Sequence, residues 1–145
     1  HLGGTCEAFA QTMNSRAKEL GCKDTHFTNP NGLHDPEHYT TAYDMALAAC
    51  YAYNNRTIRS MINIPAYEFR RNNGSVRMIR STNRLLTSHP WVQGMKTGYT
   101  NLAGKCLISC ASANGRAVIV VVLGSTSRKI WGESLKYLRW ALQQA

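Results

Sequence analysis

Six consecutive apolar residues, Val118-Ile119-Val120-Val121-Val122-Leu123, constrain this chain more than any other feature. Five of the six are β-branched, and turn residues bound the run: Asn114-Gly115 before it and Gly124 after it. Such a run is too short for a helix and has no polar side. It predicts a strand over residues 117–124 that is buried on both faces. The rest of the chain must therefore supply cover on two sides.

The flanking patterns give the other elements. Residues 5–20 place Phe9, Met13, Ala17 and Leu20 at helical spacing, with Thr5 as N-cap and Gly21 as the stop. Residues 26–39 hold Asn29-Pro30, Asn31-Gly32 and Asp35-Pro36, turn pairs that resist helix, and read as a long structured loop. Thr41-Ala42-Tyr43-Asp44 has the form of a capping box, Asp44 standing in the reciprocal position, and opens a second helix. A short third helix is expected near residues 58–62. Tyr67 and Phe69, then Val76, Met78 and Arg80, alternate around Asn73-Gly74, which predicts a hairpin with a two-residue turn. Strands follow over 91–98, 103–112 and 117–124. A helix over 127–144 then turns Ile130 or Trp131, Leu135, Leu138 and Leu142 inward. Helices first, antiparallel strands next and a helix returning over them make an α+β fold.

Composition narrows the classes. At 145 residues, 43% hydrophobic and 17% charged, the chain suits one globular domain, and no apolar run approaches the roughly 18 residues of a membrane helix. Seventeen basic against eight acidic residues leave +9, a bias toward acidic partners. Five cysteines cannot all pair within one chain. Cys106 and Cys110 share a strand face roughly 13 Å apart, too far to bridge, and the five read as small buried hydrophobes. His34 and His38 are separated by Asp35-Pro36, so a zinc site is not expected. The chain begins at His1, as a processed or truncated piece would.

The motif that carries chemistry is Lys96-Thr97-Gly98, at the end of a predicted strand and followed by Tyr99-Thr100. A lysine can place positive charge beside a nucleophile, a threonine hydroxyl can hold a carboxylate, and a glycine lets a substrate backbone lie against the strand. Three residues alone also describe any surface strand ending at a turn. Ser15-Arg16-Ala17-Lys18 fits S-x-x-K, and Ser81-Thr82-Asn83 and Ser112-Ala113-Asn114 fit S-x-N. Yet Ser15 falls three turns into its helix, away from the N-terminal N–H groups that favour a nucleophile, so it is read as a chance match.

Along most of the chain, further residues join the triad in order. They are Met13-Asn14, Lys18-Glu19-Leu20-Gly21, Thr25-His26-Phe27, Asn29-Pro30, Gly32-Leu33 and Thr41-Ala42-Tyr43-Asp44. Then come Asn83 with Leu85-Leu86, Gly94-Met95 before the triad, Ala103-Gly104, Cys106-Leu107 and Val121-Val122-Leu123-Gly124. In these residues the chain resembles the D-alanyl-D-alanine carboxypeptidases, the low-molecular-mass penicillin-binding proteins, from about Cys6 to about Leu142.

The resemblance implies a β-lactamase/transpeptidase-like fold, of which residues 1–145 are the C-terminal portion of a single catalytic domain. It implies removal of the terminal D-Ala from peptidoglycan stem peptides through a serine acyl-enzyme, acylation by β-lactam antibiotics, and an extracytoplasmic location. The family's S-x-x-K and S-x-N motifs would lie in an N-terminal segment outside this chain, without which the chain would be inactive and its sheet would expose apolar surface. Carried onto matching positions, Lys96 is the second cationic group, Thr97 and Gly98 bind substrate, and the Tyr99 N–H completes an oxyanion hole. Many relatives have His where Tyr99 stands. Arg128 is the nearest match to an arginine that binds the terminal carboxylate, after a one-residue adjustment of spacing. Neither a cofactor nor a metal is implied.

Two other readings differ in class. Arg56, Arg59, Arg70, Arg71, Arg77, Arg80 and Arg84 could make a basic module for nucleic acid or anionic wall polymer, with several lining one face of the hairpin. Aromatic content of 9% and the lack of any nucleic-acid signature weigh against nucleic acid. A structural relative without turnover would share the fold alone.

Overall fold

The computed structural model describes residues 3–144. The apolar run forms strand β5 (Arg116–Ser125), an edge of a three-stranded antiparallel sheet in the order β3-β4-β5, with β3 spanning Val92–Thr100 and β4 Gly104–Ala113. On one face Leu107 and Ala111 of β4 close a core with Leu85, Val92, Ile130 and Leu138, and Val118, Val120 and Val122 pack against it. Ile130 and Leu138 belong to helix α5 (Ile130–Gln144). Alternation sends Ile119 and Val121 to the other side, where helix α2 (Ala42–Asn54) packs on β5. The expected strand is therefore covered on both faces. It is half-buried rather than fully buried, because it lies at the edge.

Helix α1 (Cys6–Glu19) starts at Thr5, whose hydroxyl accepts from the Ala8 N–H. It ends where the Gly21 and Cys22 N–H groups donate to Lys18 and Ala17 carbonyls, the bonds of a helix stop. Asn14 clamps the following loop to α1: its side chain accepts from the Phe27 N–H at 2.7 Å and donates to the Phe27 carbonyl at 2.9 Å. His26 and Tyr39 exchange two backbone bonds that close the loop.

At α2 the expected capping box is half realised. Thr41 accepts from the Asp44 N–H, but the buried Asp44 carboxylate is directed to the loop, where it accepts from the Asp24 N–H at 2.8 Å and the Thr25 hydroxyl at 2.7 Å. These bonds hold the carboxyl below its ordinary pKa, the Thr25 hydroxyl contributing most.

Helix α3 (Arg56–Ile62) leads into a separate two-stranded hairpin, β1 (Ala66–Arg70) and β2 (Val76–Arg80). Its turn differs from the two-residue form expected. Arg71 donates to Ser75 and Gly74 donates to Arg71, leaving residues 72–74 as a three-residue loop. Register also divides its arginines. Arg70 and Arg80 share one face, while Arg77, opposite Phe69, takes the other, so no single face gathers the hairpin's charge.

Helix α4 (Arg84–Ser88) joins the hairpin to β3. Helix α5 begins three residues later than expected, since 126–129 form a turn in which Thr126 accepts from the Lys129 and Ile130 N–H groups. All five cysteines are free, but only Cys22 and Cys110 are buried, whereas Cys6 and Cys50 are exposed and Cys106 is intermediate, which corrects the expectation for three of the five. Burial pushes the Cys110 thiol up to about 12. Among the described residues no helix is long and apolar enough to cross a membrane.

Candidate active site

Strand β3 is the other edge of the sheet and carries Lys96, Thr97, Gly98 and Tyr99 opposite Ile108, Leu107, Cys106 and Lys105 of β4. The strand continues two residues beyond Gly98, so the triad lies within it rather than at its end. A bulge between Gln93 and Lys96 sets the phase. Because strand side chains alternate, a one-residue slip would turn each to the opposite face, and the bulge thus decides where Lys96 and Thr97 project. Gly94 permits it: a Cβ there would lie 2.3 Å from the Ile62 carbonyl oxygen.

A cleft of about 590 Å³ runs beside this segment. The loop corner Pro30-Asn31-Gly32 forms one wall, Thr82 and Arg84 a second, and Ser127, Ile130 and Trp131 a third, with Lys96 to Tyr99 and Lys105-Cys106 completing the lining. No Asp or Glu is among these residues, while Arg84, Lys96 and Lys105 all contribute positive charge. The cleft therefore favours an anionic ligand.

Within it, the Thr82 and Thr97 hydroxyl oxygens are 2.6 Å apart. The exposed Lys96 ammonium donates to the Thr97 carbonyl. Tyr99 extends into solvent, donates its hydroxyl to Asn101 at 2.8 Å and lies under the Lys105 ammonium, 3.7 Å from its ring centroid. Arg84 stands over Trp131 at 5.8 Å. Both contacts fix a cation at the rim against an aromatic face.

Four of the five anticipated residues, Lys96, Thr97, Gly98 and Tyr99, line this cleft together. Arg128 lies in the exposed turn before α5, beside Ser127, and is not among the lining residues. The S-x-x-K serine Ser15 is an exposed residue inside α1 and is also outside the lining. Asn83 is buried and caps α4, accepting from the Leu85 N–H at 3.0 Å. Sequence reasoning missed Thr82, Arg84, Lys105 and Trp131. Thr82 and Arg84 are signalled only by nearness in the chain to Asn83, and nothing local marks Lys105 or Trp131; the fold brings them together.

Comparison with known proteins bears directly on this cleft. A family model described as D-alanyl-D-alanine carboxypeptidase matches residues 1–127. The D-alanyl-D-alanine carboxypeptidase DacF of Bacillus subtilis is 38% identical over 144 residues, covering 99% of this chain and 37% of that protein. A Streptomyces D-alanyl-D-alanine carboxypeptidase is 34% identical over 126 residues, covering 83% of this chain and 43% of that one. The crystal structure of a Streptomyces DD-transpeptidase superposes with a TM-score of 0.83 at 31% identity, over 95% of this chain and 55% of its own. The chain thus spans well under half the length of these curated relatives and about half of that solved structure. Sequence and architecture agree, and the chain belongs to the D-alanyl-D-alanine carboxypeptidase family of low-molecular-mass penicillin-binding proteins, with their α+β fold.

Proposed function

We propose that this chain supplies the K-T-G strand and much of the substrate cleft of a serine D-Ala-D-Ala carboxypeptidase acting on peptidoglycan stem peptides outside the cytoplasm. Residues 1–145 form the C-terminal portion of its catalytic domain, and a segment outside them carries the S-x-x-K and S-x-N motifs. The observation that carries this reading is the outer edge of β3. At Gly98 an added Cβ would meet only Cys106 at an ordinary 3.7 Å, so nothing inside the chain demands glycine there. Its absent side chain leaves a bare strip of backbone on an edge strand beside a cationic cleft, which suits an extended peptide ending in a carboxylate.

On this edge the roles follow from chemistry. The Thr97 hydroxyl donates to the terminal carboxylate. The backbone N–H of Tyr99 donates to the oxyanion formed when the serine oxygen adds to the penultimate D-Ala carbonyl. Lys96 stabilises the charge that develops as the serine proton moves toward the departing D-Ala amine. Water then hydrolyses the ester and frees the shortened stem peptide. A β-lactam carbonyl would occupy the same position and acylate the serine. Arg128, one residue from the Ser127 wall, is a second cation for the carboxylate.

The test uses the complete protein and labelled penicillin. Lys96→Ala should slow acylation by about 100-fold or more, the scale of losing one preorganised charge-stabilising group, with the melting temperature nearly unchanged. Parallel loss of acylation and stability would make Lys96 structural. The 145-residue chain alone should form no covalent adduct; stable labelling at Ser15 would overturn the assignment of the nucleophile.

A further inference from the structure

Thr82 is held by its neighbours and touches the centre of the site. On one side the Ser81 N–H donates to the Pro65 carbonyl at 2.8 Å, closing the base of the hairpin. On the other, Asn83 is 4% exposed, donates its N–H to the Ser81 hydroxyl at 3.2 Å and caps α4. The backbone of Thr82 is thus fixed at both ends, while its side chain is exposed in the cleft with its oxygen 2.6 Å from that of Thr97.

A hydroxyl has one proton to give and two lone pairs. Between two threonines one proton lies in the shared bond, and only two arrangements exist. If Thr97 donates to Thr82, the free proton is that of Thr82, and Thr97 turns lone pairs alone toward the cleft. If Thr82 donates to Thr97, the Thr97 proton is free to point into the cleft, and the shared bond polarises it further. The lining contains three cations and no carboxylate, so the expected ligand is an anion, and an anion held at Thr97 selects the second arrangement.

Resting on the function proposed above, we infer that Thr82 is a positioning residue: it donates to the Thr97 oxygen and so aims the Thr97 proton at the terminal carboxylate of the substrate. It touches no reacting atom. Its effect is confined to substrates that carry the carboxylate.

The experiment uses the complete protein with Thr82→Val, which keeps the shape and removes the hydroxyl, and Thr82→Ser, which restores it. Two peptides ending in D-Ala-D-Ala are compared, one with a free carboxylate and one capped as the amide. Thr82→Val should lower kcat/KM for the free acid roughly 5- to 10-fold, the value of one net hydrogen bond between neutral groups. It should leave the amide within about 2-fold of wild type, and Thr82→Ser should recover the loss. Equal losses on both peptides, no loss on the acid, or failure of Thr82→Ser to recover it would overturn the inference. Acylation of the wild type by labelled penicillin is read first: its absence overturns the proposed function and the role of Thr82 with it, whereas normal acylation with an unaffected Thr82→Val overturns Thr82 alone. If Thr82→Val does not fold, Thr82→Ala takes its place in the same acid-to-amide comparison.

Discussion

The molecule contains two Asn-Gly hairpins, and they turn differently. At Asn114-Gly115 both residues have positive φ, 53° and 78°, and Ala113 pairs directly with Arg116 in a two-residue turn. At Asn73-Gly74 only Gly74 does, at 80°, and the loop holds three residues. The dipeptide is the same, so the difference lies around it. Strands β4 and β5 are pinned by α5 and α2 in a register that leaves two residues for the turn. Strands β1 and β2 pack mainly on each other. Asn73 is free to fold its side-chain oxygen onto the Ser75 N–H at 3.1 Å and hydroxyl at 2.7 Å, and this local bonding sets the loop. A turn motif states a preference, and packing decides whether it is taken.

Substitutions should separate the backed sheet from the hairpin. In activity, Lys96→Ala on the backed sheet should have the largest effect, the loss in acylation given above, whereas Arg77→Ala on the hairpin should stay within about 2-fold in the same assay. A large Arg77 effect would bring the hairpin into the site. In stability, Leu107→Ala removes a side chain with no exposure and should cost about 2–5 kcal/mol by denaturant melting. Met78→Ala, on a half-exposed hairpin position, should cost less than about 0.5 kcal/mol. Similar costs would mean the hairpin is packed in the complete protein. Smallest are the turns: Asn114→Ala should lose about 1 kcal/mol because alanine resists positive φ, and Asn73→Ala about half that.

Much of this was legible from residues. Thr5, Thr41 and Gly21 marked helix ends because each acts through backbone groups within four positions, and the run 118–123 announced its strand because nothing else suits six apolar residues. The K-T-G strand followed from its spacing and the ordered resemblance around it. What escaped depends on contacts distant in sequence. Gly94, in the bulge that orients Lys96, is required by the nearby Ile62 carbonyl, and Thr82 meets Thr97 across 15 positions. Asp44 looked like half of a capping box because its local pattern is one, but its carboxylate serves a loop 20 residues earlier.

That carboxylate makes the cleft answer to acidity. Asp44 binds its proton less readily folded than unfolded, so its bonds stabilise fully above the ordinary carboxylate range near pH 4 and fade as pH falls through the depressed folded value. The loop it tethers leads to Pro30-Asn31-Gly32, one wall of the cleft. Acid titration followed by amide exchange should therefore free residues 24–33 before the β3-β4-β5 sheet opens, while Asp44→Asn should weaken the same wall at neutral pH; simultaneous opening of loop and sheet would show that Asp44 is not the tie. The acid limit of this wall would then be set by a residue that lies outside the cleft lining.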